Sequence, residues 1–173
     1  MLQQLKIHSN IKCNQSITMK AVLALFLALA PFVLADVPTG CVTLWHRRFG
    51  NYLASSTQYD PKHRHVTDRE SPERWKIFRS DYNYRIMHVD HNEYLFASDW
   101  MTYSGNNNYV YTWIPRTNEE SDKWQIERVD GKYYSIRNVK HGSCLFVGSI
   151  RWIYAKKATM CTNELFHWNI ERC

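Results

Sequence analysis

The feature that most constrains the fold is a block with the pattern Trp-x-Ile-x-Arg, which occurs three times. The blocks begin at Trp75, Trp124 and Trp168, so they are 49 and 44 positions apart. A repeat of this length indicates one supersecondary unit used three times, because each unit alone is too small to bury its apolar face. Within each block Trp and Ile alternate with period two, which places both on one face of a strand. The pattern predicts three buried indoles and favours a binding scaffold over a catalytic fold.

Further strands surround each tryptophan block. A turn-prone pair precedes an apolar strand in each unit, at residues 49–55, 91–98 and 141–149. Upstream strands are indicated at 42–45, 84–89 and 133–139, and third strands at 109–113 and 152–155. The counterpart of the third strand in the first unit, near His65 and Val66, is weak. We therefore predict an all-β chain, a β-trefoil of three four-stranded repeats at about 41–80, 81–130 and 131–173, closed so that few strand edges are exposed.

The first 35 residues are predicted to be an export signal rather than part of the fold. Residues 21–35 form an apolar run after Lys20, and Val33 and Ala35 are the small residues that a signal peptidase requires. Cleavage is expected before Asp36. Met19 resembles the natural start of this signal, which makes residues 1–18 an upstream extension. Fifteen apolar residues are fewer than the ~20 of a spanning helix, so we predict a secreted protein with no membrane span.

The remaining residues, 36–173, have the length of a single domain. They contain 19 Lys and Arg against 16 Asp and Glu, a balance of +3. Strong nucleic-acid binding requires more positive charge, gathered on one surface, so no nucleic-acid partner is predicted. We expect a monomer.

Four cysteines lie in residues 36–173, and an even number in a secreted chain favours disulfides. Four cysteines allow three connectivities, of which we favour Cys144–Cys161 and Cys41–Cys173. The first would close a short loop worth ~3 kcal/mol, and the second would tie the chain ends together. A zinc site is the alternative, but the chain has no Cys-x-x-Cys pair. We expect no metal and no cofactor.

Three units of four strands, each with a late Trp, and a Cys pair inside one unit resemble the β-trefoil of ricin-B-type lectins. The lectin hallmark is Gln-x-Trp, and here the Trp is kept while the Gln positions hold Glu73, Asp122 and Phe166. Lectin sites also place an Asp on the second strand, where this chain has Ala54, Phe96 and Phe146. The fold hosts lectins, cytokines and protease inhibitors, so it does not by itself define a function.

A second resemblance rests on size, on the export signal and on the richness in Cys, Trp and Tyr. In these respects the chain resembles the cysteine- and tryptophan-rich salivary protein family of blood-feeding mosquitoes. That resemblance implies a protein delivered to a host during feeding, which engages host cells or soluble mediators.

The candidate glycan site lies in the second unit, because Trp100 and Trp113 break the threefold pattern, as Trp152 does in the third. Residues 99–108 combine aromatic rings with Asn amides, and sugars stack on rings while amides satisfy their hydroxyls. The resemblance to lectins adds Trp113 as a stacking ring and Asp122 as a polar contact. The glycan-binding candidates are Trp100, Asn106, Asn107, Asn108, Trp113 and Asp122. The alternative is a solvated hairpin in which Gly105 and the Asn run supply positive φ angles.

Basic residues offer a second kind of site. A glycosaminoglycan or an acidic cell surface would bind them by ionic contact with release of counterions. The candidates are Arg47, Arg48, Lys62, Arg64, Lys156 and Lys157. The alternative is an ordinary solvated surface. His63 and His65 share a strand face and could bind a metal, but the sequence shows no third ligand.

No motif indicates catalysis. The chain has no Gly-x-Ser-x-Gly and no phosphate-binding glycine loop, and paired cysteines cannot act as nucleophiles. We therefore predict a non-enzymatic, lectin-like protein that binds a glycan or glycosaminoglycan on host cells. The alternative is a secreted immunomodulator or protease-inhibitor-like trefoil that binds a host cell-surface protein and has no glycan site.

Overall fold

The computed structural model describes residues 36–101, 107–114, 120–148 and 150–173. The predicted signal peptide and Asn106 lie outside these residues. The described residues form twelve strands: β1 Gly40–His46, β2 Tyr52–Gln58, β3 His63–Arg69, β4 Trp75–Ser80, β5 Asn83–His88, β6 Glu93–Met101, β7 Asn107–Trp113, β8 Trp124–Asp130, β9 Tyr133–Asn138, β10 Ser143–Val147, β11 Ile153–Lys157 and β12 His167–Arg172. Two short 3₁₀ helices span Glu120–Asp122 and Glu164–Phe166. The prediction of an all-β chain is confirmed. No helical segment within the described residues has the length and hydrophobicity of a transmembrane span.

Six of the strands pair in a closed ring. In order around the ring they are β1, β4, β5, β8, β9 and β12, and every neighbouring pair is antiparallel. The other six form the hairpins β2–β3, β6–β7 and β10–β11. The hairpins join one another through β3–β7 and β7–β11 pairing and through a bridge between Thr67 and Trp152. A ring of paired strands leaves no free edge for aggregation.

The three repeated indoles fill the core, as predicted. Trp75, Trp124 and Trp168 are each 0% exposed. They pack with the buried isoleucines of the same blocks, Ile77, Ile126 and Ile170. Each indole N–H donates a hydrogen bond to a buried leucine carbonyl, namely that of Leu53, Leu95 and Leu145, at 2.9, 2.9 and 3.1 Å.

The structure contains both disulfides that the sequence favours. Cys41 and Cys173 are joined with a Cα–Cα distance of 5.5 Å, and Cys144 and Cys161 with 5.8 Å. The first bond links β1 to the residue after β12, and these two strands also pair directly. The second lies in a small apolar cluster with Phe166.

Two segments differ from the sequence-based expectation. The weak third strand of the first unit is a full strand, β3, and its polar residues gain partners from neighbouring segments of the chain. Its buried Asp68, for example, accepts hydrogen bonds from Asn51 at 2.7 Å and Arg151 at 3.0 Å. In the second unit, β6 continues to Met101 and β7 begins at Asn107, so much of the predicted loop is strand.

A buried polar side chain closes the turn after β1, β5 and β9. These side chains are His46, His88 and Asn138. Each accepts a hydrogen bond from the backbone N–H three residues later, donated by Phe49, His91 and His141 at 3.3, 3.3 and 3.2 Å. Because Nδ1 of each histidine accepts, it carries no proton in the native turn. Asn138 performs the same task without a titratable group.

His46 makes the stability of the protein depend on pH. Burial lowers the pKa of His46 below 6.5, against smaller opposing effects of the Leu165 carbonyl, Asp68 and Glu164, while His167 lowers it further. As pH falls below 6.5, His46 binds a proton in the unfolded chain but not in the native turn. Protonation therefore favours the unfolded state, and the free energy of unfolding decreases. His46→Asn should flatten the dependence of unfolding free energy on pH between 7 and 5, by at most ~1.4 kcal/mol per pH unit. Urea titrations across this range measure it, and an unchanged slope would contradict the assignment.

Candidate functional site

A cavity with a volume of about 500 Å³ lies on the β6–β7 hairpin. Its aromatic wall consists of His63, Phe96, Trp100, Tyr111 and Trp113. Its polar residues are Ser98, Asp99, Glu120, Ser121 and Lys140. Flat rings beside groups that donate and accept hydrogen bonds are the general composition of a small-ligand site.

Strand pairing brings the aromatic wall together. Trp113 lies opposite Tyr94 of β6 and His63 of β3, and Phe96 lies opposite Tyr111. The Trp113 ring is 4.6 Å from the His63 ring and 5.2 Å from the Phe96 ring, between centroids.

Trp100 lies near the end of β6 and is 56% exposed. Its backbone N–H donates to the Ser98 hydroxyl at 3.1 Å, which fixes the chain at this point. The indole therefore borders the cavity and offers a large apolar surface to solvent.

The Asp60 carboxylate fixes the orientation of His63. One oxygen of Asp60 accepts the backbone N–H groups of Lys62 and His63 at 2.7 and 2.8 Å. The other oxygen lies 2.6 Å from Nδ1 of His63. This hydrogen bond is also the main reason why the pKa of Asp60 is lowered. In the tautomer whose Nδ1 donates to Asp60, Nε2 is an acceptor for a ligand hydroxyl.

Charges at the rim are nearly balanced. Lys140 lies 2.9 Å from one oxygen of Asp99, and Nε2 of His141 lies 3.4 Å from the same oxygen. Burial lowers the pKa of His141 despite the neighbouring carboxylate, which favours the neutral ring. Glu120 adds a second carboxylate to the lining. The pocket thus offers two carboxylates and one ammonium group to a ligand.

The structure places Trp100 and Trp113 in one pocket, whereas two of the other glycan candidates make contacts inside the protein. Asn108 is buried and donates to the Ser98 carbonyl at 3.0 Å, so it holds β6 to β7. Asp122 is buried 3.2 Å from Nε of Arg85, and burial raises its pKa. The amide of Asn108 and the carboxylate of Asp122 thus have partners inside the protein, and a role of either residue in glycan binding stays a prediction. Asn107 lies at the opposite end of β7 from Trp113.

Several lining residues were not predicted as ligand contacts. The alternation of Tyr109, Tyr111 and Trp113 along β7 could have indicated that Tyr111 shares the face of Trp113. The sequence suggests a metal-binding role for His63 and gives no indication that it lies beside Trp113. Its place beside Trp113 depends on the β3–β7 pairing of two distant segments, for which the sequence carries no local signal.

The basic candidates do not gather on one surface. Three arginines form ion pairs, Arg47 with Asp130, Arg48 with Glu164 and Arg64 with Glu93. Arg64 lies opposite Thr112 and Lys156 lies opposite Asn107, so they are five residues of β7 apart, or roughly 17 Å. Lys62 lies in the β2–β3 turn, and Lys157 ends β11. A polyanion site on these residues stays a prediction.

The two histidines considered as metal ligands have other contacts. His63 is bound to Asp60, and the His65 ring packs 4.2 Å from the Trp152 ring. Within the described ranges, no group of three or more His, Cys, Asp or Glu side chains is placed to hold a metal ion.

Comparison with known proteins indicates which class of fold the chain adopts. Residues 71–150 match the family model of the ricin-type β-trefoil lectin domain-like proteins. The crystal structure of the designed threefold-symmetric protein ThreeFoil superposes with a TM-score of 0.67, over 78% of this chain and 99% of its own, at 13% identity. The fold is therefore β-trefoil-like.

Two solved structures identify the family. Both are salivary proteins from the mosquito Culex quinquefasciatus that belong to the cysteine and tryptophan-rich (CWRC) family. One is 38% identical, with a TM-score of 0.73 over 80% of this chain and 97% of its own. The other is 28% identical, with a TM-score of 0.71 over 80% and 96%. This chain belongs to the cysteine and tryptophan-rich family. A search of curated proteins found no match.

Proposed function

We propose that this protein is a secreted, non-enzymatic lectin-like protein that binds a neutral glycan in the pocket on the β6–β7 hairpin. The observation that carries the proposal is the juxtaposition of Trp100 and Trp113 with hydrogen-bonding groups in one cavity of about 500 Å³. Sugar rings have an apolar face that stacks on indoles and hydroxyls that require polar partners. Asp99, Ser98 and His63 supply such partners around the rings.

The charges of the pocket favour a neutral sugar over a sulfated one. Asp99 and Glu120 would repel sulfate groups, and Lys140 is already paired with Asp99. The arginines proposed for glycosaminoglycan binding are paired with carboxylates, two in the turn after β1 and one on β3. A glycosaminoglycan would need its cations close together and unpaired.

Secretion and the division of the chain form part of the same proposal. Residues 1–35 serve as the signal peptide, and 36–173 form one β-trefoil domain of three units, β1–β4, β5–β8 and β9–β12. The two disulfides and the salivary relatives support an extracellular location. Each unit ends on one of the strands that carry a buried indole, which supports the threefold division. The ligand would be carried on host cells.

Loss of the two pocket tryptophans should abolish glycan binding. Trp100→Ala and Trp113→Ala are each expected to weaken binding about tenfold or more, since one stacking ring is lost from each. A glycan array with the secreted protein identifies the ligand, and calorimetry with that glycan measures the loss. Tyr82→Ala is the matched control, because Tyr82 is 98% exposed and lies outside the pocket. Binding that survives the double substitution would contradict the proposal.

A protein partner is the second candidate function. Exposed apolar side chains at Ile114, Ile150 and Met160 favour it, since such side chains commonly contact partner proteins. Free glycan separates the two functions in a cell-binding assay. If the protein binds cells through its sugar site, free glycan displaces it from them. If it binds a protein receptor, it remains bound in the presence of free glycan.

A further inference from the structure

We infer that the glycan site continues from the first pocket along a band of aromatic rings to a second cavity, and that the ligand is a linear glycan of several sugar units. This inference rests on the proposed function and extends it. We define the aromatic band by six residues: Trp113, His63, Tyr111, Tyr59, His65 and Trp152.

The rings of the aromatic band are in contact along its whole length. Between ring centroids, the distances are 4.6 Å from Trp113 to His63 and 5.9 Å from His63 to Tyr111. They are 5.3 Å from Tyr111 to His65 and 4.2 Å from His65 to Trp152. Tyr59, in the β2–β3 turn, packs over the middle of the band, 5.4 Å from Tyr111 and 4.9 Å from His65. Tyr59 is 51% exposed, so the band reaches solvent between the two cavities.

Strand register places these rings on one face. His63 and His65 of β3 pair with Trp113 and Tyr111 of β7, and Tyr109 of β7 pairs with Tyr154 of β11. Alternate residues of a strand share a face, so these side chains lie together. Residues at the alternate positions of these strands, such as Val66 and Val110, point to the other face and belong to the core. A face shared by strands of three hairpins can hold a ligand longer than any one hairpin pocket.

The second cavity lies where the three hairpins meet. It has a volume of about 230 Å³, and its walls include His65, Tyr109, Trp152 and Tyr154. Gly148 allows the Tyr154 ring to lie in this wall, because a Cβ at that position would come within 2.5 Å of the Tyr154 ring. Trp113 in the first pocket and Tyr109 in the second lie four positions apart on β7, a span of ~13 Å. That span exceeds a single sugar ring.

The chemistry of the band fits a neutral chain of sugars. Its rings provide apolar surface, and Tyr109 and Tyr154 add hydroxyl groups at its far end. Burial lowers the pKa of His65 and raises the pKa of Tyr154, so both are uncharged at neutral pH. Single-stranded nucleic acid also stacks on aromatic rings, but it requires a positively charged groove. The six residues of the band include no Lys or Arg, and Asp60 and Asp99 lie beside its first half.

The test compares chain lengths. The probes are homologous series of β1,4-linked glucose, β1,4-linked N-acetylglucosamine, α1,4-linked glucose and β1,4-linked galactose, as monosaccharide, disaccharide, tetrasaccharide and hexasaccharide. Calorimetry is performed on the full protein and on the Trp152→Ala and Tyr59→Ala variants, with Tyr82→Ala as the control. For the series that binds, affinity should rise about tenfold or more from disaccharide to hexasaccharide. Each band variant should remove most of that gain and leave disaccharide binding unchanged.

Three results would overturn the inference, and they differ in what they mean for the pocket. If the disaccharide and the hexasaccharide bind equally to the wild-type protein, the site ends at the first pocket and the proposed function stands. The same holds if the band variants weaken short and long chains alike. If no glycan of any length binds, the proposed function fails together with its extension. Tyr59→Ala keeps the test valid should Trp152→Ala unfold, since Tyr59 is half-exposed in a turn.

Discussion

Replacing Trp168 with alanine is expected to lower the free energy of unfolding by about 3–5 kcal/mol. The indole is fully buried, so the substitution leaves a cavity that the surrounding strands of a closed ring cannot collapse to fill. It also removes the N–H that donates to the Leu145 carbonyl at 3.1 Å, which leaves a buried acceptor without its partner. Urea unfolding followed by circular dichroism measures the loss.

The repeat supplies internal comparisons for this prediction. Trp75→Ala and Trp124→Ala should cost amounts similar to Trp168→Ala, because the same burial and the same hydrogen bond to a leucine carbonyl recur at each. Tyr82→Ala, at a position that is 98% exposed, should change stability by less than ~0.5 kcal/mol. A Trp168→Ala variant that keeps the wild-type unfolding midpoint would show that the indole is not a core residue.

Loss of the Cys41–Cys173 disulfide should be the more damaging of the two disulfide losses. The bond joins residues 132 positions apart, whereas Cys144–Cys161 spans 17. In the chain-entropy model, closing loops of these lengths contributes about 5 and about 3 kcal/mol, because the longer loop restricts the unfolded chain more. The paired Cys41→Ser and Cys173→Ser variant should therefore be less stable by about 2 kcal/mol than the paired Cys144→Ser and Cys161→Ser variant.

Denaturant titrations of the two variants and the wild type, all under non-reducing conditions, measure the difference. Pairing of β1 with β12 remains available after removal of the first disulfide, so that variant should refold with an unchanged ring of strands. Equal losses from both variants, or a larger loss from the short loop, would contradict the entropic account. Fraying restricted to β1 and β12 in hydrogen exchange would indicate that the bond acts locally in the native state instead.

The candidate site was only partly predictable from the sequence. Trp100 and Trp113 were recognised because they depart from the threefold pattern, and this departure can be seen in the chain alone. Asn108 and Asp122 are of residue types that often bind sugar hydroxyls. In the structure, however, Asn108 contacts Ser98 and Asp122 contacts Arg85. Residue type does not reveal whether a polar group faces a ligand or satisfies a buried neighbour, since both roles require the same hydrogen bonds.

The sequence by itself determined the all-β class and the three buried indoles. These follow from local alternation and from a repeat, because a strand with period-two hydrophobicity has one face that must be buried wherever it lies. The tertiary structure alone decided which residues lie together on the proposed binding surface. His63 reaches Trp113, and His65 reaches Trp152, only when β3, β7 and β11 meet from three different hairpins. Such contacts join residues fifty or more positions apart, and their side chains carry no local pattern that encodes the pairing.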